Sequence, residues 1–93
     1  AMSDVMAIGA IRGLRDAGYR VPEDFSVIGI DNISTSEHIE TALTTIDTNP
    51  QEVCMLAWDI IQKKQESKYY HSTQAITITG RLIVRNSVGP RKK

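Results

Sequence analysis

Apolar residues recur at helical spacing near the start of the chain. Between Ser3 and Gly18, small and apolar residues recur at steps of three and four on one face, which comprises the adjacent Met6 and Ala7 followed by Ala10, Leu14 and Ala17. This spacing predicts an amphipathic helix. Ser3 or Asp4 can accept its first amide hydrogens, and Gly18 can adopt the left-handed conformation that ends it. Gly9 and Gly13 each cost about 1 kcal/mol against alanine inside the helix, which predicts a close neighbouring backbone on that face.

Two short apolar runs follow this helix. Phe25–Ile30 is apolar or small almost throughout rather than alternating, which is typical of a strand covered on both faces and therefore of a parallel sheet. Leu43–Ile46 is a second small strand. Between them, the S-x-x-E spacing of Ser34 and Glu37 predicts a capping box and a short helix through Ile39. The alternation of helix and strand predicts an α/β fold.

A strong helix start lies in the second half of the chain. Asn49 is predicted to cap a helix that begins at Pro50 and runs to about Lys64. Its apolar stripe is wide enough for two neighbours, with Cys54 as a core residue, and comprises Val53, Cys54, Leu56, Ala57, Trp58, Ile60 and Ile61. A polar surface loop, KKQESKYYHSTQ, comes next. The segments AITIT and RLIV then predict extended chain on either side of Gly80, and GPRKK predicts a frayed tail.

Composition narrows the class of protein. The 93 residues allow one small domain, and 41% apolar with 24% charged residues is typical of a globular chain. Eleven basic and eleven acidic residues balance, so no overall field draws the chain to nucleic acid or to a membrane surface. Because the sequence has neither a membrane-length apolar run nor a secretory signal, we expect a soluble chain without membrane association. The lone Cys54 fits a reducing cytoplasm better than a secreted scaffold.

The chain opens almost directly on its first helix. A parallel α/β layer needs a strand before that helix. We therefore expect a fragment whose upstream strands are missing, with an unpaired sheet edge that promotes self-association.

Polar side chains follow the predicted strands. Asp31 and Asn32 come directly after Phe25–Ile30, and open α/β sheets bind ligands at the carboxyl ends of their strands. An ionised carboxylate suits neighbouring sugar hydroxyls or an amine, but Asp31 equally suits capping of the next turn, and local sequence leaves both roles open. Ser3 would lie on the same edge, where its hydroxyl could contact a ligand or cap the helix. Thr48 follows the second strand end.

Motifs for catalysis or metal binding are missing from the sequence. His38 and His71 are far apart, and neither has metal-ligand spacing with Cys54. No basic residue lies near Cys54 to activate it as a nucleophile, and the single cysteine excludes an internal disulfide. The sequence has no nucleophile elbow, phosphate loop or dinucleotide fingerprint. We therefore expect no metal, no cofactor and no enzymatic activity.

Three strings carry a family resemblance: SDVMAIGAIRGLRDAGYRVPEDFSVIGIDNI, LTTI and RLIVRNSVG, in that order. Together they closely resemble the carboxyl-terminal part of the effector-binding domain of LacI/GalR (lac-repressor/gal-repressor) family transcription regulators. The resemblance implies a fragment of a periplasmic-binding-protein-like fold with two Rossmann-type lobes, each a parallel sheet flanked by helices. It implies that residues 1–47 and 81–89 belong to the carboxyl-terminal lobe, 48–80 to the amino-terminal lobe and 90–93 to a tail.

The resemblance also implies roles for individual residues. Asp31 matches the family's aspartate that hydrogen-bonds the effector. Ser3 stands where the family often has asparagine, and Thr48 where it often has glutamine, so both are weaker candidates for effector contacts. The residues on faces that resemble the family's dimer interface are Ile8, Arg12, His38 and Ile39.

The function implied by the resemblance is that of a repressor. A sugar or purine-like effector would bind between the lobes, and a homodimer would pass its effect to operator DNA. Operator binding would require an amino-terminal helix-turn-helix that this sequence does not contain, so we expect no operator binding by this chain alone. An alternative is a periplasmic sugar-binding protein of a transport system with the same fold. A small α/β enzyme is a third class, which the lack of a nucleophile, base or cofactor loop disfavours.

Overall fold

The computed structural model of the protein describes residues 1–66 and 75–91. Within them, helices and strands alternate as predicted. The elements are α1 (Asp4–Asp16), β1 (Ile28–Ile30), the 3-10 helix η1 (Ser34–Glu37), β2 (Thr44–Asp47), α2 (Pro50–Glu66) and β3 (Arg81–Ile83). Most of the predicted polar loop, with His71, and the last two residues of the tail lie outside the described residues.

The chain forms two compact units. The first consists of Ala1–Thr48 and Gly80–Lys93, and the second of Asn49–Thr79. The first unit therefore contains α1, η1 and all three strands of the described residues, and the second contains α2.

The sheet of the first unit is mixed, with the order β1-β2-β3. β1 and β2 are parallel, with Ile30 opposite Ile46, whereas β2 and β3 are antiparallel, with Asp47 opposite Arg81. The sequence predicted a parallel sheet. The antiparallel pair arises because β2 ends, and β3 begins, at the point where the chain leaves and rejoins this unit, so the two strands run in opposite directions.

Both ends of α1 are formed as the sequence predicts. Ser3 is the N-cap residue, and its Oγ accepts a hydrogen bond from the amide of Met6 at 3.2 Å. At the other end Gly18 has φ 89°, and the amide of Tyr19 donates to the carbonyl of Leu14 at 2.9 Å. These contacts form a Schellman motif, in which glycine takes the left-handed position.

The close packing expected at Gly9 and Gly13 is not found among the described residues, but a third glycine is closely packed. A Cβ added at either residue would meet no atom within 4 Å among the described residues. A Cβ at Gly29, in the middle of β1, would instead overlap the carboxylate of Asp4 and come within 2.9 Å of Leu43. Glycine is therefore required where the start of α1 crosses β1.

The core of the first unit lies between α1 and the sheet. Its buried apolar residues are Ala7, Ile11, Val21 and Leu43, and Ile8, Leu14, Val27 and Ile39 pack against them. The strand predicted for Phe25–Ile30 begins only at Ile28, and the expectation of burial on both faces is wrong, since Phe25 and Ile28 are exposed. Phe25 instead packs edge-on against Tyr19, with ring centroids 5.2 Å apart.

The short helix after β1 differs from the predicted capping box. Residues Ser34–Glu37 form a single 3-10 turn, and its N-cap position is Ile33, which has no polar side chain. Ser36, rather than Ser34, fixes the turn by donating its hydroxyl hydrogen to Asp4 at 2.5 Å. A contact across 32 residues of sequence thus replaces the local cap that the spacing suggested.

The second unit contains α2, whose start is predicted correctly. Asn49 has φ 54° and precedes Pro50, and its side-chain amide donates to Glu52 Oε2 at 2.6 Å. The helix ends at Glu66, two residues beyond the predicted end. In the same unit, residues 75–79 form no strand, although their alternation predicted extended chain.

The apolar stripe of α2 is exposed. Within Pro50–Glu66 no residue is buried, and the large apolar side chains that are most exposed are Val53, Met55, Trp58 and Ile61. Cys54 is also exposed, so its prediction as a core residue is wrong for this chain. Neither α1 nor α2, the two α-helices of the described residues, is long and apolar enough to cross a membrane.

Candidate functional site

Asp31 directly follows β1, at the carboxyl end of the strand. Its side chain is exposed, and within residues 1–66 and 75–91 no group donates a hydrogen bond to its carboxylate. Its backbone has φ 121°, a value that non-glycine residues rarely adopt. Such a conformation costs on the order of 1–3 kcal/mol and persists only where surrounding contacts enforce it.

A buried carboxylate beneath the loop supplies several of these contacts. Asp4, in the first turn of α1, is fully buried. One of its oxygens accepts hydrogen bonds from the amide of Ile33 at 3.0 Å and from the hydroxyl of Ser36 at 2.5 Å. The other accepts from the hydroxyl of Thr45 at 2.5 Å. Asp4 thereby joins α1 to the loop after β1, to η1 and to β2.

The pKa of Asp4 reflects two opposing influences. Burial of the carboxylate raises its pKa, whereas the hydrogen bonds from Ser36, Thr45 and the amide of Ile33 lower it, and the hydrogen bonds outweigh burial. The net pKa lies below the ordinary value for aspartate. Asp4 is therefore ionised at neutral pH, and its position at a helix N-terminus also favours the negative charge.

The backbone of the loop is held at three successive residues. The amide of Asp31 donates to the carbonyl of Ile46 at 2.9 Å, and the amide of Asn32 donates to Thr45 Oγ1 at 3.3 Å. Thr45 uses its own hydrogen on Asp4, so its hydroxyl links the loop to the buried carboxylate. With the bond from Ile33 to Asp4, all three amides are satisfied from neighbouring elements.

The side chain of Asn32 adds two further contacts. Its Oδ1 accepts from Arg85 Nη2 at 2.8 Å, and its Nδ2 donates to Asp47 Oδ2 at 3.3 Å. The Arg85 guanidinium is itself oriented by donating to the carbonyl of Leu43 at 3.0 Å. The loop is thus tied to the end of β2 and to the chain that follows β3.

The other two residues predicted to contact an effector lie at the same edge of the sheet. Ser3 adjoins Asp4, and Thr48, which is exposed, directly follows β2. Ser3 Oγ accepts from the amide of Met6, so its capping role is confirmed, while its contact with an effector stays a prediction. The role of Thr48 also stays a prediction.

Sequence reasoning did not identify the residues that hold the loop. Asp4 was considered only as a helix cap, because an aspartate at a helix start usually serves that purpose. Arg85 carried no signal, since it lies 53 residues from Asn32 in sequence. The pair of polar residues after β1 was the available indication that Asn32 has a role.

Three of the four residues predicted at a dimer interface line one groove on the first unit. The groove has a volume of about 270 Å³ and is lined by Ile8, Gly9, Ile11, Arg12, Arg15, Ile39, Glu40 and Thr41. His38 is not in this lining and lies 3.3 Å from Glu37. Ion pairs border the groove, with Arg15 2.7 Å from Glu40 and Arg12 3.2 Å from Asp16.

Metal-binding side chains do not cluster in the part of the chain that the structure describes. There, no three side chains among His, Cys, Asp and Glu are grouped so that they could hold a metal ion.

Comparison with known proteins identifies the family. Residues 1–88 match the periplasmic binding protein-like domain. Among curated relatives, the HTH-type transcriptional repressor PurR of Edwardsiella ictaluri is 38% identical over 85 residues, which is 91% of this chain and 25% of the relative. PurR of Aliivibrio fischeri is 36% identical over 91 residues, which is 98% of this chain and 27% of the relative. The chain spans about a quarter of the length of these relatives.

Solved structures agree with this match. A LacI family regulator of Enterococcus faecium with bound ribose superposes with a TM-score of 0.87 at 33% identity, covering 99% of this chain and 34% of that one. The lac repressor dimer bound to operator and the anti-inducer ONPF gives a TM-score of 0.83 at 26% identity, covering 94% of this chain and 30% of that one. The chain therefore belongs to the periplasmic binding protein-like domain family and is a fragment of an effector-binding domain of the LacI/GalR type.

Proposed function

We propose that this chain is part of a transcriptional repressor that senses a small molecule, and that Asp31 hydrogen-bonds that effector. The observation that carries the proposal is the contrast within Asp31 itself. Its backbone is held in a rarely adopted conformation by its own hydrogen bond and those of the next two residues, while its exposed carboxylate has no donor among the described residues. An arrangement that orients an unoccupied acceptor favours ligand binding over capping.

The chemistry of the carboxylate indicates the class of effector. Two carboxylate oxygens accept hydrogen bonds from adjacent hydroxyls of a sugar or from adjacent N–H groups of a purine base. The ribose in the Enterococcus faecium neighbour supports a sugar. Ser3 and Thr48, at the same edge, are proposed as further polar contacts.

The two units of the chain support a two-lobed arrangement in the full-length protein. We assign residues 1–47 and 81–89 to the carboxyl-terminal lobe, 48–80 to the amino-terminal lobe and 90–93 to a tail. The first compact unit breaks off at Thr48 and resumes at Gly80, close to these boundaries. In this arrangement the exposed stripe of α2 packs against other segments of the full-length protein, and in the fragment alone it promotes self-association.

Dimerisation is proposed to use the groove beside α1. Ile8, Arg12 and Ile39 line or border it, and His38 follows η1 nearby in sequence. The close neighbour that the sequence predicts at Gly9 would then be the partner subunit, since a Cβ there would meet no atom of residues 1–66 and 75–91 within 4 Å. Effector binding would shift the arrangement of the lobes, and the dimer would transmit that change to operator-binding heads outside this sequence.

The repressor relatives favour regulation over sugar transport. A regulator of this kind acts in the cytoplasm and is not an enzyme. This chain, which has balanced charge, is not expected to bind operator DNA by itself.

The proposal is tested on the full-length protein by thermal shift with D-ribose, other sugars and purine bases. A bound effector stabilises the folded state, by about 2.7 kcal/mol at one hundred times its dissociation constant, and raises the melting temperature. Asp31→Ala should abolish the shift. Glu23→Ala, which removes an exposed acid from the turn before β1, should retain it. An unchanged shift in Asp31→Ala would rule out the assigned contact.

A further inference from the structure

We propose that Asn32 is a positioning residue of this site and acts through Asp31. Its side chain bridges Arg85 and Asp47 and so holds the loop that presents the Asp31 carboxylate. This inference rests on the proposed effector contact of Asp31.

The bridge requires one acceptor and one donor on the same side chain, which an amide provides. Asn32 Oδ1 accepts from a cationic guanidinium, and Nδ2 donates to a carboxylate. An aspartate at position 32 would keep the first contact but place a second carboxylate against Asp47, and it would lose the donor. Asparagine also tolerates the left-handed backbone observed here, with φ 56°.

The anchors of the bridge are themselves fixed. Arg85 Nη1 donates to the carbonyl of Leu43, directly before β2, and the amide of Arg85 donates to Thr44 Oγ1 at 2.9 Å. Asn32, Asp47 and Arg85 are all half-buried, so water weakens these charge-assisted contacts less than it would on an open surface. The end of β2 and the chain that follows β3 therefore constrain one amide.

The consequence for Asp31 follows from its backbone. Asp31 lies between its own bond to Ile46 and the fixed Asn32, and this pair of constraints opposes relaxation of φ from 121°. If Asn32 is released, Asp31 can return to the negative φ that non-glycine residues favour. That rotation redirects the carboxylate away from the orientation in which it would meet an effector.

The test exchanges the donor and the acceptor of the hydrogen bond between positions 32 and 47. Four variants of the full-length protein are compared with wild type: Asn32→Asp, Asp47→Asn, the double variant with both changes, and Asn86→Asp. Asn86 is exposed, so its substitution is a control for the same chemical change outside the bridge. Hydrogen exchange of residues 31–33 reports loop order without any ligand, and titration calorimetry with D-ribose, or with whichever purine base gives a thermal shift, reports affinity.

We expect Asn32→Asp to accelerate exchange in residues 31–33 and to weaken effector binding about tenfold or more, as loss of a charge-assisted hydrogen bond predicts. The double variant restores a donor at position 47 to an acceptor at position 32, so both readouts should return close to wild type. Such a rescue would show that the hydrogen bond between positions 32 and 47, and not the identity of either side chain alone, orders the loop. Asp47→Asn keeps an acceptor for Asn32 and should therefore retain the bridge, and Asn86→Asp should change neither readout.

The inference is overturned if Asn32→Asp leaves exchange and affinity unchanged, or if the double variant restores neither. Its failure is separable from that of the proposed function. Hydrogen exchange of residues 31–33 tests whether the Asn32 bridge orders the loop, even if no compound binds. Effector binding by Asp31→Ala tests whether Asp31 contacts the effector.

Discussion

The hydroxyl of Thr45 donates to the carboxylate of Asp4 at 2.5 Å, which joins the first turn of α1 to β2 across 41 residues of sequence. The same hydroxyl accepts the amide hydrogen of Asn32 at 3.3 Å. The first turn of α1, β2 and the loop after β1 are thus connected through one buried charge. This contact therefore helps to order the loop that carries Asp31.

Asp4→Asn should destabilise the protein strongly. The substitution removes the charge and places amide hydrogens against groups that already donate, namely Ile33, Ser36 and Thr45. Breaking such a buried polar cluster costs roughly 2–4 kcal/mol of unfolding free energy. Urea denaturation followed by circular dichroism measures the loss. Asp16→Asn, at an exposed site on the same helix, is the matched control and should change stability by less than about 1 kcal/mol.

The stability that Asp4 provides should depend on pH in a defined direction. Its folded-state pKa is lowered, so its contribution is complete above the ordinary pKa of aspartate and is lost as pH falls towards the folded value. The difference in unfolding free energy between wild type and Asp4→Asn should therefore be nearly constant from about pH 7 to pH 5 and shrink as pH falls below about 4 towards the folded-state pKa. Urea midpoints measured across that range give the trend. A difference that stays constant or grows as pH falls would mean that the pKa of Asp4 is not lowered in the folded protein.

Alanine substitutions at two glycines should change stability in opposite directions. At Gly29 the new Cβ would overlap the Asp4 carboxylate and lie 2.9 Å from Leu43, and such overpacking costs about 1–3 kcal/mol. At Gly13 the Cβ enters open space inside a helix, where alanine is favoured by roughly 0.5–1 kcal/mol. Thermal melts of both variants decide the point. Equal effects would show that α1 does not press on β1 at Gly29.

The elements whose signals are local were predicted well from the sequence. The cap at Ser3, the left-handed Gly18 and the start of α2 at Pro50 depend on contacts within a few residues. The sequence did not reveal where β1 begins or that β3 pairs antiparallel with β2, because strand pairing depends on residues that are distant in sequence. Burial on both faces of β1 was predicted from composition, but Phe25 and Ile28 are exposed in this chain.

The candidate site was also predicted only in part from the sequence. The position of Asp31 could be inferred because strand ends are the general ligand-binding edge of α/β sheets. The residues that orient it could not, because the sequence separates Asp4 from Thr45 and Asn32 from Arg85 by 41 and 53 residues, respectively. A single sequence contains no signal for such pairs.

Gly9→Gln should weaken the proposed dimer without harming the fold of the subunit. Gly9 lines the groove beside α1, and a side chain there meets no atom within 4 Å among the described residues, so the glutamine would project into space that the partner is proposed to fill. Glutamine is also the better helix former, which keeps the monomer stable. Sedimentation velocity of the full-length protein should show the dimer dissociation constant raised at least about thirtyfold, as expected for a central contact. Ala10→Gln, at the next position of α1 and outside the groove lining, is the control and should remain dimeric. Equal dimerisation of the two variants would place the interface on another face of the subunit.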